Sequence, residues 1–61
     1  MFIEVTNSQG KQQLLINMKH ITSIYPKNKE KGCNILMDNS LVYAIEEPYD
    51  YICKIIEKFG G

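Results

Sequence analysis

A single amphipathic helix near the end of the chain limits what this sequence can fold into. Its apolar residues recur three and four positions apart, the spacing of one helix face: Ile52, Ile55, Ile56 and Phe59. Pro48 suits the first helical position and Gly60 suits the stop, so we predict a helix over about 48–59. A helix of this length is marginal alone, and its apolar face must therefore pack against the rest of the chain.

The residues before the helix have the alternating pattern of short β-strands. We predict five strands, over 2–6, 12–16, 21–25, 33–37 and 40–45. Gly10 is placed to take a positive φ in the first turn, and Asn17 predicts a tight corner or one helical turn over 17–20. Because Ile21 and Ile24 are three residues apart, the third strand either starts late or carries a bulge.

The last two predicted strands form a hairpin with a two-residue turn at Asp38 and Asn39. We assign one face of this hairpin to the core, and its residues are Cys33, Ile35, Met37, Leu41, Tyr43 and Ile45. The predicted fold class is α+β: one domain over 1–61, with about five short antiparallel strands in an open sheet or small barrel, followed by the C-terminal helix.

One helix cannot cover both faces of such a sheet. The alternation places a second set of apolar residues away from the core: Leu15, Leu36, Val42 and Ala44. With 61 residues, the chain is also short for a stable single core. We therefore expect a homo-oligomer, most simply a homodimer, that also binds a larger protein.

Charge and hydropathy exclude several classes of protein. The seven basic residues are all lysines, they balance seven acidic residues, and no arginine is present to grip phosphate or base edges. Nucleic acid is therefore not the expected partner; the alternative is a nucleic-acid-binding module that uses Lys11, Lys27, Lys29 and Lys31. No apolar run approaches a membrane span and the opening residues lack a signal-peptide pattern, so we expect no membrane insertion and a cytoplasmic location.

The sequence does not predict a metal site, a cofactor or an active site. Cys33 and Cys53 are twenty residues apart, outside any zinc or redox motif, and His20 adds only a third possible ligand. In the cytosol we expect both thiols to stay reduced. Glu46 and Glu47 point to opposite sides of the chain, and we assign Glu47 to the positive end of the helix dipole. We expect no enzymatic activity.

Tyrosines are numerous for so short a chain, and tyrosine is enriched in protein interfaces. Tyr43 falls on the predicted core face, whereas Tyr49 and Tyr51 lie away from the centre of the apolar helix stripe. The predicted partner-binding residues are Tyr25, Tyr49, Tyr51, Leu36 and Val42.

The order of these elements resembles that of the small FlbD/SwrD-type proteins of flagellar operons. The resemblance runs nearly end to end and depends on Ile3–Thr6, Gly10–Lys11, Leu15–Asn17, Ile21 with Ile24, and Tyr43–Glu47. It implies a role in flagellar motor function without enzymatic activity. Short proteins of this kind also occur on phages and mobile elements, where a compact binder that inhibits a host enzyme is an equally natural role. The carbon storage regulator family, RNA-binding dimers, is similar in length and element order, but its arginine-containing motifs are missing here.

Overall fold

The computed structural model describes residues 1–59, so the predicted helix stop at Gly60 lies outside the described residues. The elements, in chain order, are β1 (Phe2–Thr6), β2 (Gln13–Asn17), a short 3₁₀ helix (Met18–His20), β3 (Ile21–Pro26), β4 (Cys33–Met37), β5 (Val42–Ile45) and α1 (Tyr49–Phe59). The predicted α+β class, with five antiparallel strands before one C-terminal helix, is confirmed.

The strands form two sheets and not one closed barrel. β1 pairs with β2, and β3, β4 and β5 form a three-stranded sheet in that order. A bridge between Asn7 and Ile45 joins the two sheets. Beside it, the Glu46 N–H donates to the Thr6 carbonyl at 2.8 Å, and the Ser8 N–H donates to the Ala44 carbonyl at 2.8 Å. The end of β1 therefore continues the hydrogen bonding of β5.

The core lies between the two sheets and the helix. Its buried members are Ile3, Val5, Ile16, Cys33, Ile35, Ile45 and Ile52. β1 and β4 contribute alternate residues, because successive side chains of a strand point to opposite faces. β2 and β5 contribute one buried residue each, and Ile21 and Ile24 of β3 are partly buried against this core. Two predicted core assignments are wrong: Leu41, at the end of its hairpin loop, and Phe59, in the last turn of the helix, are both exposed. The Lys58 ammonium lies 5.3 Å from the centre of the Phe59 ring.

The corner after β2 has the conformation expected from Asn17. Its side-chain oxygen accepts the Lys19 N–H at 3.1 Å and caps the 3₁₀ helix. The following strand carries the predicted bulge, since the register of β3 against β4 shifts between Ile21 and Ser23. In the first turn, Gly10 has the predicted positive φ, at 78°.

The β4–β5 hairpin has a three-residue loop, so the predicted two-residue turn is wrong. The Ser40 N–H donates to the Met37 carbonyl at 3.0 Å, and the Met37 N–H donates to the Leu41 carbonyl at 2.8 Å. The residue with a positive φ is Ser40, at 72°, and not Asp38 or Asn39 of the predicted turn. A left-handed third residue is typical of such loops.

Helix α1 begins one residue later than predicted, and Glu47 has a different role. The Pro48 carbonyl accepts the Ile52 N–H at 3.2 Å, which places Pro48 at the cap and Tyr49 at the first helical position. The Glu47 carboxylate does not serve the helix end. It accepts the Thr6 N–H at 2.8 Å and the Thr6 hydroxyl at 3.0 Å. This clamp holds the end of β1 against the start of α1.

Candidate protein-interaction site

On the side of the three-stranded sheet that faces away from the core, the strand residues carry no charge; the loop residues Lys27 and Glu30 border the end at Asn34 and Ala44. In the register, Ser23 pairs with Leu36, and Leu36 pairs with Val42 in the next strand. A second row runs across the same face, through Tyr25, Asn34 and Ala44. Directly paired residues point to the same face. We call these six residues the outer face, and none of them carries a charge.

The outer face exposes large apolar side chains to solvent. Val42 is 52% exposed and Tyr25 is 43% exposed, while Leu36 between them is partly buried. Contiguous apolar surface without charges is typical of sites where proteins bind one another. The structure therefore brings together three of the five predicted partner-binding residues.

The two helix tyrosines do not form one surface. Tyr49 packs against the core and is partly buried, whereas Tyr51 is 51% exposed. Two positions along a helix correspond to a rotation of about 200°, which directs these side chains to nearly opposite sides. The two predicted partner-binding tyrosines of the helix therefore lie on separate sides of it, and their roles stay predictions. Only Tyr51 offers an accessible ring.

Three residues of the outer face were not among the predicted partner-binding residues: Ala44, which the alternation places away from the core, and Ser23 and Asn34. Ser23 and Asn34 complete its rows beside Leu36 and Tyr25. Both are small or polar, so apolar alternation could not select them. The pairing register is the signal that finds them, because it places every second residue of β3 and β4 on the same side.

The four lysines of the nucleic-acid alternative do not form one basic patch. Lys11 pairs with the Glu46 carboxylate, and the Lys27 ammonium donates to the Ser8 hydroxyl at 2.7 Å. Lys29 and Lys31 are exposed in the loop between β3 and β4, and Glu30 lies between them in the chain. Nearby acidic groups weaken the attraction of a phosphate backbone to such a loop.

The side chains considered for metal binding or catalysis lie apart. Within residues 1–59, no three His, Cys, Asp or Glu side chains converge into a metal-binding group. His20 lies near the β4–β5 loop, where its Nδ1 is 2.6 Å from an Asp38 carboxylate oxygen. Cys33 lies at the other end of β4, paired with Pro26 and Ile45. The structure thus separates His20 from the cysteines.

Both cysteines are free, and Cys33 has no features of a reactive thiol. Its side chain is fully buried and its sulfur is 3.4 Å from the Glu47 carbonyl oxygen, to which the thiol donates. Burial raises the pKa of Cys33, with a further contribution from nearby Cys53. A raised pKa keeps the thiol protonated, and the thiolate is the nucleophilic form.

Within the described part of the chain, no helix combines the length and the apolar character needed to cross a membrane. Helix α1 has 11 residues, whereas a crossing helix needs about 20. The cytoplasmic location stays a prediction.

No family model, curated protein or solved structure matches this chain. The resemblance to FlbD/SwrD-type proteins therefore stays a prediction from the quoted residues. Any assignment of function depends on the chain's own surface, and the outer face is its most distinctive part.

Proposed function

We propose that this chain is a non-enzymatic protein-interaction module that docks on a larger protein through the outer face and also self-associates. The observation that carries the proposal is the composition of that face: six outward positions without a charge, in a chain whose residues are 23% charged. Exposed Val42 and Tyr25 supply apolar area at its edges.

The chemistry of the outer face defines the surface that fits it. A charged partner surface would lose its hydration without gaining a counter-charge, which is unfavourable. An apolar, uncharged partner surface gains free energy at about 25 cal/mol for each Å² that it buries. The Tyr25 hydroxyl and the Asn34 amide can add hydrogen bonds that fix orientation. We therefore propose a partner with an exposed apolar patch.

The resemblance suggests two settings for this partner. One is a component of the flagellar motor, and the other is a host enzyme that a phage or mobile-element protein inhibits. In both, the chain acts by occupying a surface and not by transforming a substrate. Exposed Tyr51 is a second contact that lies outside the outer face.

Affinity capture from native cell extract tests the proposal through two neighbouring residues. Val42, on the outer face, and Leu41, outside it, are 52% and 51% exposed, so Val42→Lys and Leu41→Lys introduce the same charge at equal exposure. We expect one protein to be recovered in stoichiometric amount with the wild type and with Leu41→Lys. Val42→Lys should lose it, because the lysine charge would be buried against an apolar partner.

Two further results make the experiment decisive. Tyr25→Lys should reproduce the loss, since Tyr25 lies on the same face as Val42. Circular dichroism of each variant checks that the fold is retained. Equal recovery by Val42→Lys and the wild type, or no stoichiometric protein with either, contradicts the proposal.

A further inference from the structure

The hydrogen bonds of β1 with β2 show which main-chain groups of β2 point outward. At one end of the pair, the Asn7 N–H donates to the Gln12 carbonyl at 2.7 Å; at the other, the Met18 N–H donates to the Met1 carbonyl at 2.8 Å. In an antiparallel pair, hydrogen-bonded and non-hydrogen-bonded residues alternate along the strand. The even-numbered residues of β2 therefore bond to β1, and Gln13, Leu15 and Asn17 direct their N–H groups away from it.

These outward groups find no main-chain partner within residues 1–59. The Gln13 and Leu15 carbonyls are available as well, whereas the Asn17 carbonyl begins the 3₁₀ helix that Asn17 caps. We call the outward groups of Gln13, Leu15 and Asn17 the β2 edge.

The β2 edge lacks the features that normally prevent strand pairing. Proteins protect edge strands with charged residues, prolines, bulges or covering elements. β2 contains no charged residue and no proline, and its register against β1 is continuous. Leu15, at its centre, is 66% exposed. Such a strand is suited to pair with another strand.

The sequence of β2 is complementary to itself. If a second β2 lies antiparallel across a twofold axis at Leu15, each Leu15 faces Leu15 of the partner subunit, and Gln13 faces Asn17 of the partner subunit. The two Leu15 residues exchange two main-chain hydrogen bonds, and each Asn17 N–H reaches the opposite Gln13 carbonyl. The side-chain amides of Gln13 and Asn17 can also bond to each other.

The charges near this edge permit the pairing. Glu4 is directly opposite Leu15 in β1, so the two Glu4 residues of a pair would be separated by three strand spacings. At about 4.8 Å each, this is roughly 14 Å, and salt at physiological strength screens charges beyond about 8 Å. The chain as a whole has no net charge.

We infer that two copies of this chain associate by antiparallel pairing of their β2 edges. The inference rests on the self-association in the proposed function and assigns it a surface separate from the outer face. A small twofold dimer with a continuous β1–β2–β2–β1 sheet results, and both outer faces stay free for the larger partner.

Sedimentation equilibrium over a range of concentrations tests the inference. We expect the wild type to approach twice its 7.1 kDa mass as concentration rises. Leu15→Lys should remain a monomer, because it places two ammonium groups face to face across the axis. Leu15→Pro should also be a monomer, since proline removes an outward donor while leaving the bonds to β1 intact. Circular dichroism checks that both variants fold.

Val42→Lys is the matched control, because it places the same charge on the outer face. It should dimerise like the wild type while losing the larger partner. Leu15→Lys should show the opposite behaviour: a monomer that still captures the partner. A wild type that is monomeric at high micromolar concentration overturns the inference, as does a dimer of Leu15→Pro, which lacks both main-chain donors of the Leu15 pair. Partner capture by wild type but not by Val42→Lys would in either case leave the docking of a larger protein on the outer face in place.

Discussion

The outermost strands of the two sheets, β2 and β3, differ in what their edges offer. β2 presents three outward N–H donors, at Gln13, Leu15 and Asn17. On β3 the bulge interrupts the row of outward N–H donors. The Ile21 N–H bonds to the Met18 carbonyl of the 3₁₀ helix, and Pro26 has no N–H. By the same alternation, Ile24 holds the remaining outward donor of that strand.

This difference separates two modes of recognition in one small domain. The three-stranded sheet has a protected edge and an uncharged outer face, so a partner would contact it through side chains. The two-stranded sheet has an open edge, and so it offers main-chain groups. Side-chain surfaces select a partner by shape and polarity, whereas an open edge accepts another strand. The proposed second copy and the proposed larger protein would therefore occupy separate surfaces.

The largest effect is expected at Gly32, in the loop between β3 and β4 of the three-stranded sheet. Gly32 has a φ of +99°, and a Cβ there would overlap the Ile45 carbonyl oxygen of β5. Gly32→Ala should lower the free energy of unfolding by about 3 kcal/mol or more, through backbone strain and overpacking. In the β1–β2 turn, Gly10 has a φ of +78° with open space around its Cβ position. Gly10→Ala should cost only about 1 kcal/mol.

Urea unfolding of both glycine variants provides the measurement. It compares a turn in the two-stranded sheet with a close backbone approach in the three-stranded sheet. Equal destabilisation by the two substitutions would mean that β4 and β5 do not approach each other as closely as described.

A smaller effect is expected at the clamp between the two sheets. Glu47→Ala leaves the partly buried Thr6 N–H without its acceptor and should lower the free energy of unfolding by about 1–3 kcal/mol. Glu47→Gln should lose less, because its amide oxygen can still accept that N–H. Chemical unfolding measures both variants. Similar stability for Glu47→Ala and the wild type would show that the bridge at Asn7 and Ile45 suffices to join the sheets.

The smallest effect is expected at the exposed pair between Lys11 and Glu46, which also links the sheets. The hydrogen bond from Lys11 lowers the pKa of Glu46 below its ordinary value. The pair's contribution is therefore complete above the ordinary glutamate pKa of about 4.3 and is lost as the pH falls through the lowered value of the folded state. Glu46→Gln should be slightly less stable than the wild type at neutral pH.

Urea unfolding at neutral pH and at a pH of about 3 checks the direction of this effect. The difference between Glu46→Gln and the wild type should shrink at the lower pH, and also at high salt. A stability difference that is the same at both pH values would show that the Lys11–Glu46 ion pair is not its cause.

The element types and the apolar residues of the outer face were accessible from the sequence because they depend on local periodicity. Alternation predicted the strands, the three-residue spacing of Ile21 and Ile24 allowed for the bulge, and the helix stripe predicted α1. Alternation also selected Leu36 and Val42 as residues that point away from the core. The strand pairing then places Tyr25 beside them.

The rest depends on contacts between residues far apart in the chain. The Glu47 carboxylate meets Thr6, 41 positions away, and no local pattern encodes that pairing. The bridge between Asn7 and Ile45, which joins the two sheets, is similarly distant in the chain. The β2 edge can be identified only when the residues of β2 that bond to β1 are known. The positive φ of Ser40 was missed because serine adopts that conformation less readily than asparagine or aspartate.

Amide hydrogen exchange, measured residue by residue at low and high protein concentration, tests the difference between the two edges most directly. We predict that exchange at Gln13, Leu15 and Asn17 slows as the protein is concentrated, because their N–H groups enter a new strand pair. Exchange at Ile24, the donor on the protected edge, should stay the same. Unchanged exchange at the three β2 residues, or slowing confined to Ile24, would contradict the account.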